Sequence, residues 1–188
     1  SVARLHTLVE ALVGYAAAGR EVVLVSSGAQ AAAMGPLGLK ARPKTLAGAQ
    51  AAASVGQGLL IAEYTRAFGS FDIKVGQVLL TAVDVLRRNH YKNARRALEQ
   101  LISMGVVPVV NENDTVATDE LRFGENDRLA ALVAHLVGAD ALLLLSDIDA
   151  LYTMPPNHPG ASRVPVVESF KEVEDLDIGT AGSPFGTG

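Results

Sequence analysis

Short, mainly apolar segments at strand length constrain the fold of this 188-residue chain more than any other feature of its sequence. There are four of them, at residues 21–25, 75–80, 106–110 and 141–145. A strand that is apolar throughout is typical of a parallel sheet that is covered by helices on both faces. The sequence therefore predicts an α/β fold with a mostly parallel sheet.

Apolar residues at helical spacing predict four helices around these strands, at residues 2–18, 44–68, 91–104 and 127–137. The alternation of strands and helices predicts βαβ units with helices on both faces of the sheet, which is a three-layer α/β/α sandwich. Pro108 is unusual inside one of these strands, because proline cannot donate a hydrogen bond to a neighbouring strand.

Composition excludes several classes of protein. The absence of cysteine excludes disulfides, thiolate metal sites and cysteine nucleophiles. A net charge of −4 argues against broad nucleic-acid binding by this domain. No apolar run reaches the roughly 20 residues of a bilayer span, and the first residues do not resemble a signal peptide. We therefore expect a cytoplasmic protein that does not bind membranes.

Polar residues follow three of the predicted strands at their carboxyl ends. They occupy residues 26–28, 111–114 and 146–149. In parallel sheets, ligands usually lie beyond the carboxyl ends of the strands. We therefore expect the three clusters to lie along one edge of the sheet and to form a ligand site there.

Each cluster has a functional and a purely structural interpretation. Ser27 and Gly28 could bring backbone N–H groups to an anion, or they could simply begin a helix. The run 111–115 could bind the ammonium and carboxylate groups of an α-amino acid, or it could form an Asx-turn. Asn126 and Asp127 could start a helix, or they could orient charged groups during phosphoryl transfer, which depends mainly on positioning and charge stabilisation.

Other signals for cofactors are weaker. Residues 146–149 could contact a nucleotide or hold Mg²⁺ through one carboxylate and water. The four histidines have no metal-ligand spacing, so no protein metal site is predicted. The sequence also lacks the P-loop motif and the Gly-x-Gly-x-x-Gly fingerprint of dinucleotide-binding folds.

Six segments, in order along almost the whole chain, resemble the amino-acid kinase superfamily and, within it, the glutamate 5-kinase family. They are residues 25–29, 51–57, 76–81, 109–117, 123–127 and 145–149. The run Asn-Glu-Asn-Asp-Thr-Val within the fourth segment is specific to glutamate 5-kinases. The resemblance implies that the γ-phosphoryl group of ATP, bound with Mg²⁺, is transferred to the side-chain carboxylate of L-glutamate. The product would be glutamyl 5-phosphate, in the first step of proline biosynthesis.

The resemblance also implies roles for individual residues. Asp127 matches the aspartate that organises the catalytic lysines of the family. Six residues match or adjoin its glutamate-binding positions: Ser27, Gly28, Ala29, Asn111, Asp114 and Asn126. Five match its contacts to ATP: Ser146, Asp147, Gly186, Thr187 and Gly188. A homodimer or homotetramer is implied too, whereas feedback by proline is a hypothesis that these residues cannot derive.

The sequence departs from the family pattern at both ends. Family members begin with a strand that carries a phosphate-binding lysine, and their glycine-rich loop continues into a second lysine. We therefore expect residues 1–188 to form an amino-acid kinase domain that is incomplete at both ends. It would lack the first strand, most of the ATP-binding half and the RNA-binding-like C-terminal domain of some members, and it would be inactive alone.

Two alternatives stay open at this point. The first is another superfamily member, an acetylglutamate, uridylate or aspartate kinase, which the polar run 111–115 disfavours. The second is an inactive relative that senses glutamate or proline. The sequence upstream and downstream of residues 1–188 would discriminate between an active and an inactive protein, because it would show whether the lysines are present.

Overall fold

Three parallel strands form the central sheet of the protein. The structure is a computed structural model that describes residues 2–116, 126–146 and 148–174. The chain divides into two units, Ser1–Leu142 and Leu143–Gly188. The sheet belongs to the first unit and has the order β1-β3-β2. Its strands are β1 (Leu24–Val25), β2 (Lys74–Leu80) and β3 (Val106–Glu112).

The described part of the first unit contains six helices. They are α1 (Val2–Ala17), α2 (Ala29–Met34), α3 (Leu46–Gly69), α4 (Ala82–Leu86), α5 (Arg88–Ser103) and α6 (Asn126–Val137). The four predicted helices are confirmed to within three residues at each end. Helices α2 and α4 were not predicted, because five or six residues are too few to show a helical period. No helix in the described ranges is long and apolar enough to cross a membrane.

Side-chain alternation along β3 divides the core into two parts. Val107 and Val109 pack on one face of the sheet with Phe68 of α3 and with α1. Val110 packs on the other face with Leu129 of α6 and with α5. Successive side chains of a strand point to opposite faces, so one apolar strand can serve both cores. The predicted three-layer α/β/α arrangement is thereby confirmed.

Pro108 lies in the middle strand of this sheet, where its missing N–H removes one ladder hydrogen bond. Val110 accepts a 2.9 Å hydrogen bond from the backbone N–H of Ser26, next to β1. In a parallel strand, every second residue directs its N–H and C=O groups to the same neighbouring strand. Pro108 lies two residues before Val110, so its backbone groups also face β1, and its nitrogen has no hydrogen to donate. This explains why β1 pairs with β3 only at Leu24 and Val25, and not over the predicted residues 21–25.

The predicted fourth strand at residues 141–145 is wrong. This segment has no strand, and the side chains of Leu143 and Leu145 are 70% and 76% exposed. An apolar run becomes a strand only when a partner satisfies its backbone hydrogen-bonding groups. No strand in the described ranges pairs with these residues. The apolar pattern indicated a tendency to be buried, and it contained no information about a partner.

The described part of the second unit contains a short antiparallel pair, β4 (Leu151–Tyr152) and β5 (Arg163–Val164), and a 3₁₀ turn at Phe170–Glu172. An ion pair between Arg163 and Asp149 adjoins the two strands. The hydroxyl of Tyr152 donates to Asp149 at 2.9 Å. These contacts hold the start of β4 against β5.

A capping box turns the chain from the end of β2 into α4. The N–H of Asp84 donates to the hydroxyl oxygen of Thr81 at 3.3 Å, and the Asp84 carboxylate accepts from the Thr81 N–H at 2.8 Å. His90 Nδ1 lies 2.7 Å from the other Asp84 oxygen. Burial alone would raise the pKa of Asp84, but the hydrogen bonds from His90 and Thr81 outweigh it and hold the pKa below its usual value.

We expect Asp84→Ala to lower the free energy of unfolding at pH 7 by about 0.5–2 kcal/mol, as loss of a helix cap does. Because folding lowers the pKa of Asp84, its contribution is complete above the unfolded pKa of about 3.9 and is lost as the pH falls through the folded value. Urea unfolding between neutral and acid pH should therefore show the two free energies converging at the acid end.

The control for this measurement is Asp140→Ala. Asp140 is exposed and has no hydrogen bond or ion pair with any residue of the described ranges, so its removal should change stability little at any pH. A destabilisation by Asp84→Ala that persists unchanged at the lowest pH would contradict the role assigned to the carboxylate.

Candidate functional site

The carboxyl ends of the three strands meet at one edge of the sheet. The N–H of Asn113, just after β3, donates to the carbonyl of Leu80 at the end of β2, at 2.8 Å. Ser26 just after β1 is bonded to β3 in the same way. Clusters 26–28 and 111–114 therefore lie at the same edge, as predicted for a parallel sheet.

The turn from β1 into α2 contains Ser27, Gly28 and Ala29. Gly28 has a φ of 94°, in the left-handed region that favours glycine. Ser27 and Gly28 are exposed, whereas Ala29 is only 3% exposed. No side chain caps α2, so the interpretation of Ser27 as an ordinary capping serine is wrong. Its hydroxyl has no hydrogen bond within the described ranges and faces solvent.

Helix α3 packs directly against this turn at Gly56. A Cβ atom on Gly56 would lie 1.6 Å from the carbonyl oxygen of Ala29. Only glycine permits two backbones to approach so closely. The glycine in segment 51–57 therefore determines where the start of α2 lies relative to the sheet.

Asn126, the first residue of α6, connects that helix to both neighbouring strand ends. Its Nδ2 donates to the carbonyl of Ser26 at 2.7 Å and to Oδ1 of Asn111 at 3.2 Å. Asn111 is 5% exposed, and its Oδ1 also accepts from the N–H of Glu112 at 2.9 Å. The amide of Asn126 thus bonds across the sheet and not to the N–H groups of its own helix. Three of the predicted site segments are brought together by these bonds.

Gln57 of α3 extends this network. It was not among the site residues predicted from the sequence. Its Nε2 donates to the carbonyl of Glu112 at 3.1 Å, and its Oε1 accepts from Nδ2 of Asn111 at 3.3 Å. Gln77 of β2 donates to the same Oε1 at 3.5 Å. Gln57 is 7% exposed and lies on the apolar face of α3. The signal in the sequence was a single glutamine on the apolar face of a helix. Buried polar groups are hydrogen-bonded, so such a glutamine indicates a buried partner.

Ser26 and Tyr64 complete the buried polar layer beneath the site. The hydroxyl groups of the two residues lie 2.9 Å apart, and both are buried. Ser26 therefore bonds to α3 through its side chain, to β3 through its N–H and to α6 through its carbonyl. Of the two adjacent serines, Ser26 is structural, and Ser27 faces the open edge.

The two candidate carboxylates occupy different surroundings. Asp114 is half-buried just beyond β3. Asp127 is exposed in the first turn of α6, where a negative charge interacts favourably with the helix dipole. This interaction by itself accounts for an aspartate at the start of α6. The role of Asp127 in phosphoryl transfer stays a prediction.

Ser146 lies in the second unit, where its Oγ accepts a hydrogen bond from the N–H of Ile148 at 3.2 Å. Asp149, which the sequence suggested as a nucleotide or Mg²⁺ contact, is bound by Arg163 and Tyr152. Four of the predicted nucleotide contacts lie outside the described residues: Asp147, Gly186, Thr187 and Gly188. The described ranges contain no group of three or more His, Asp and Glu residues that could hold a metal ion.

A cavity of about 440 Å³ lies at the opposite edge of the sheet, near the amino ends of the strands. Val22, Ile73 and Val106 line it, together with residues of α1. Its lining is mainly apolar, and none of the predicted site residues contributes to it. We therefore place the candidate site at the carboxyl edge, where the polar groups converge.

Gly56→Ala should destabilise the first unit by about 1–3 kcal/mol or more, because the added methyl group would collide with the Ala29 carbonyl and displace the turn before α2. Gly58→Ala is a matched control two residues further along α3. A Cβ atom there meets no atom within 4 Å, so we expect a stabilisation of up to about 1 kcal/mol from helix propensity. Urea unfolding of both variants measures the difference. Equal stabilities would contradict the close approach of α2 and α3.

Sequence comparisons identify the family of the chain. The model of the amino acid kinase family matches residues 1–188. The chain is 58% identical over 186 residues to "Glutamate 5-kinase" of Streptomyces coelicolor, covering 98% of this chain and 50% of that protein. It is 58% identical over 187 residues to "Glutamate 5-kinase" of Cutibacterium acnes, covering 100% and 48%. For the protein of the same name from Bifidobacterium animalis subsp. lactis, the identity is 52% over 188 residues, covering 100% and 50%. The chain thus spans about half the length of the curated relatives it matches.

Proposed function

Because the chain belongs to the amino acid kinase family, we propose that its protein is an ATP-dependent kinase that phosphorylates the side-chain carboxylate of L-glutamate. The observation that carries this proposal is the identity of 52–58%, over nearly the whole chain, to proteins named glutamate 5-kinase. The product is glutamyl 5-phosphate, in the first step of proline biosynthesis. The relatives named here do not favour an acetylglutamate, uridylate or aspartate kinase.

The carboxyl edge of the sheet supports glutamate binding by its chemistry. The Asp114 carboxylate and the Asn126 amide oxygen suit an ammonium group, while the Ser27 hydroxyl and the N–H groups around Gly28 suit a carboxylate. Asn111 and Ala29 are too deeply buried to offer their side chains to a ligand. We propose that Asn111 acts through Asn126 and that Ala29 contributes through its backbone.

Phosphoryl transfer asks the protein mainly to position the reactants and to stabilise charge. Asp127 follows Asn126 directly and is exposed at the start of α6. We propose that its carboxylate orients the cationic groups that stabilise the transferring phosphoryl group. This role places the charge-organising residue immediately beside the residue that holds the amino acid.

For the nucleotide, Ser146, Asp147, Gly186, Thr187 and Gly188 stay the predicted contacts. Ser146 is exposed, and its hydroxyl hydrogen has no acceptor within the described ranges, so it can donate to a nucleotide oxygen. Mg²⁺ is usually bound by the phosphates with one or two carboxylates and several waters. When bound, it neutralises charge on the phosphates, and the protein needs to supply few ligands of its own.

Several features of the whole protein stay predictions. They are the assignment of residues 1–188 to one amino-acid kinase domain, a homodimer or homotetramer, feedback by proline and a cytoplasmic location. None of them is needed for the proposed reaction at the carboxyl edge.

The decisive experiment measures glutamate-dependent ADP release by the full-length gene product. We expect Asp127→Ala to lower kcat/KM for glutamate by at least about 100-fold, the scale on which loss of a group that stabilises transition-state charge acts. Asp140→Ala removes an exposed carboxylate just after the same helix and should leave the rate unchanged. Equal rates for wild type and Asp127→Ala, or a preference for another acceptor, would overturn the proposal.

A further inference from the structure

We propose that Gln57 is a positioning residue that holds the Asn111 side chain in place and, through it, the side-chain amide of Asn126 that faces the ligand. The inference rests on the proposed function, since it concerns the residue expected to hold glutamate. It adds a residue from α3, on the buried side of the sheet edge, that makes no contact with the ligand itself.

The first amide is oriented by a backbone carbonyl. The carbonyl oxygen of Glu112 can only accept, so the Gln57 side chain must turn its Nε2 towards it, as it does at 3.1 Å. The Oε1 of Gln57 consequently faces Asn111. Gln77 also donates to this oxygen, which favours the same orientation.

The second amide then has a single orientation. Because Oε1 of Gln57 accepts, Asn111 must present its Nδ2 to it, at 3.3 Å. Oδ1 of Asn111 therefore points the other way, where the N–H of Glu112 donates to it at 2.9 Å. A backbone N–H can only donate, so Glu112 constrains this network at both its N–H and its carbonyl.

The third amide is oriented by two acceptors. The carbonyl of Ser26 accepts at 2.7 Å and Oδ1 of Asn111 accepts at 3.2 Å, so Asn126 turns its Nδ2 inwards. Both N–H groups of Asn126 are thereby used. Its Oδ1 has no hydrogen-bond partner in the described ranges and is left as an acceptor at the half-buried edge of the site. The ligand group that fits an acceptor there is a donor, such as the ammonium group of an amino acid.

Gln57 is needed because it is the one acceptor that Nδ2 of Asn111 has within the described ranges. Without it this donor would be buried and unpaired, which is costly enough to displace the Asn111 side chain. The N–H of Glu112 and the carbonyl of Ser26 would still oppose a reversal of the two amides, so the expected result is a looser Asn126 and not an inverted one. The Oδ1 of Asn126 would then be poorly positioned for the ligand ammonium, and binding would weaken.

The test uses three variants of the full-length gene product: Gln57→Glu, Gln57→Met and Gln100→Glu. A carboxylate at position 57 cannot donate to the Glu112 carbonyl, whereas a protonated carboxyl can donate to it and accept from Asn111. Burial raises the pKa of such a carboxyl, so it becomes protonated at moderately low pH. Gln100 is exposed on α5 and provides the same chemical change away from the network.

We expect Gln57→Glu to raise KM for glutamate about tenfold or more at pH 8, with recovery as the pH is lowered towards about 6. KM for ATP and kcat should change much less. Gln57→Met should keep a raised KM at both pH values, and Gln100→Glu should match wild type. Tyr64 and Glu112 are titratable groups on the elements that carry the network, and a pH effect confined to Gln57→Glu excludes them as its cause.

A second measurement does not depend on activity. Both side-chain N–H groups of Asn126 are hydrogen-bonded, so their hydrogen exchange should be slow in wild type and at least about tenfold faster in Gln57→Met, or in Gln57→Glu at high pH if the methionine variant does not fold. Unchanged hydrogen exchange at the Asn126 side chain in these variants overturns the inference. An equal rise of KM for glutamate and for ATP, together with a loss of kcat, also overturns it. If wild type shows no glutamate-dependent ADP release, the proposed function fails, and the exchange measurement still decides the role of Gln57.

Discussion

The hydrogen bond from Asn126 to the carbonyl of Ser26 joins residues 100 positions apart in the chain, and the geometry of the site depends on it. It connects the start of α6 to the end of β1 at the point where the sheet meets solvent. Polar groups buried at such a strand end must find partners, because an unpaired buried donor or acceptor costs more than a hydrogen bond contributes. The amides of Asn111 and Gln57 supply those partners, so one network positions α3, α6 and two strands.

The position of β1 depends on this network because few backbone hydrogen bonds join β1 to β3. Pro108 removes the hydrogen bond that would extend β1 towards its amino end, and only two residues pair with β3. The turn that follows is instead positioned by side chains and packing: Tyr64 bonds to Ser26, and Gly56 admits the carbonyl of Ala29. Buried contacts of the flanking residues Ser26 and Ala29 therefore position the exposed Ser27 and Gly28, and these contacts use no atom that faces the ligand.

The structure also separates residues that the sequence treated alike. Of two adjacent serines, Ser26 is buried and fully bonded, while Ser27 is open to solvent. Of the two candidate asparagines, Asn111 has a hydrogen bond at each end of its side-chain amide, while the amide oxygen of Asn126 has no partner within the described ranges. Fewer side chains at this edge are therefore available to a substrate than the family resemblance implied. The proposal that the ligand is glutamate rests chiefly on the sequence identity to the named relatives.

The sequence by itself determined the α/β class, the parallel sheet, four helices and the meeting of two of the three predicted polar clusters, 26–28 and 111–114, at one edge. Each of these follows from local periodicity and from the direction of parallel strands. It also carried the family resemblance. Only the tertiary structure decided that residues 141–145 have no partner strand within the described ranges, that β1 is short, and that Gln57 bonds to Asn111 and to the carbonyl of Glu112. Such outcomes depend on which groups meet across 15 to 100 residues of sequence. A local pattern records whether a side chain tends to be buried, but hydrogen-bond direction is set only by the partner it meets.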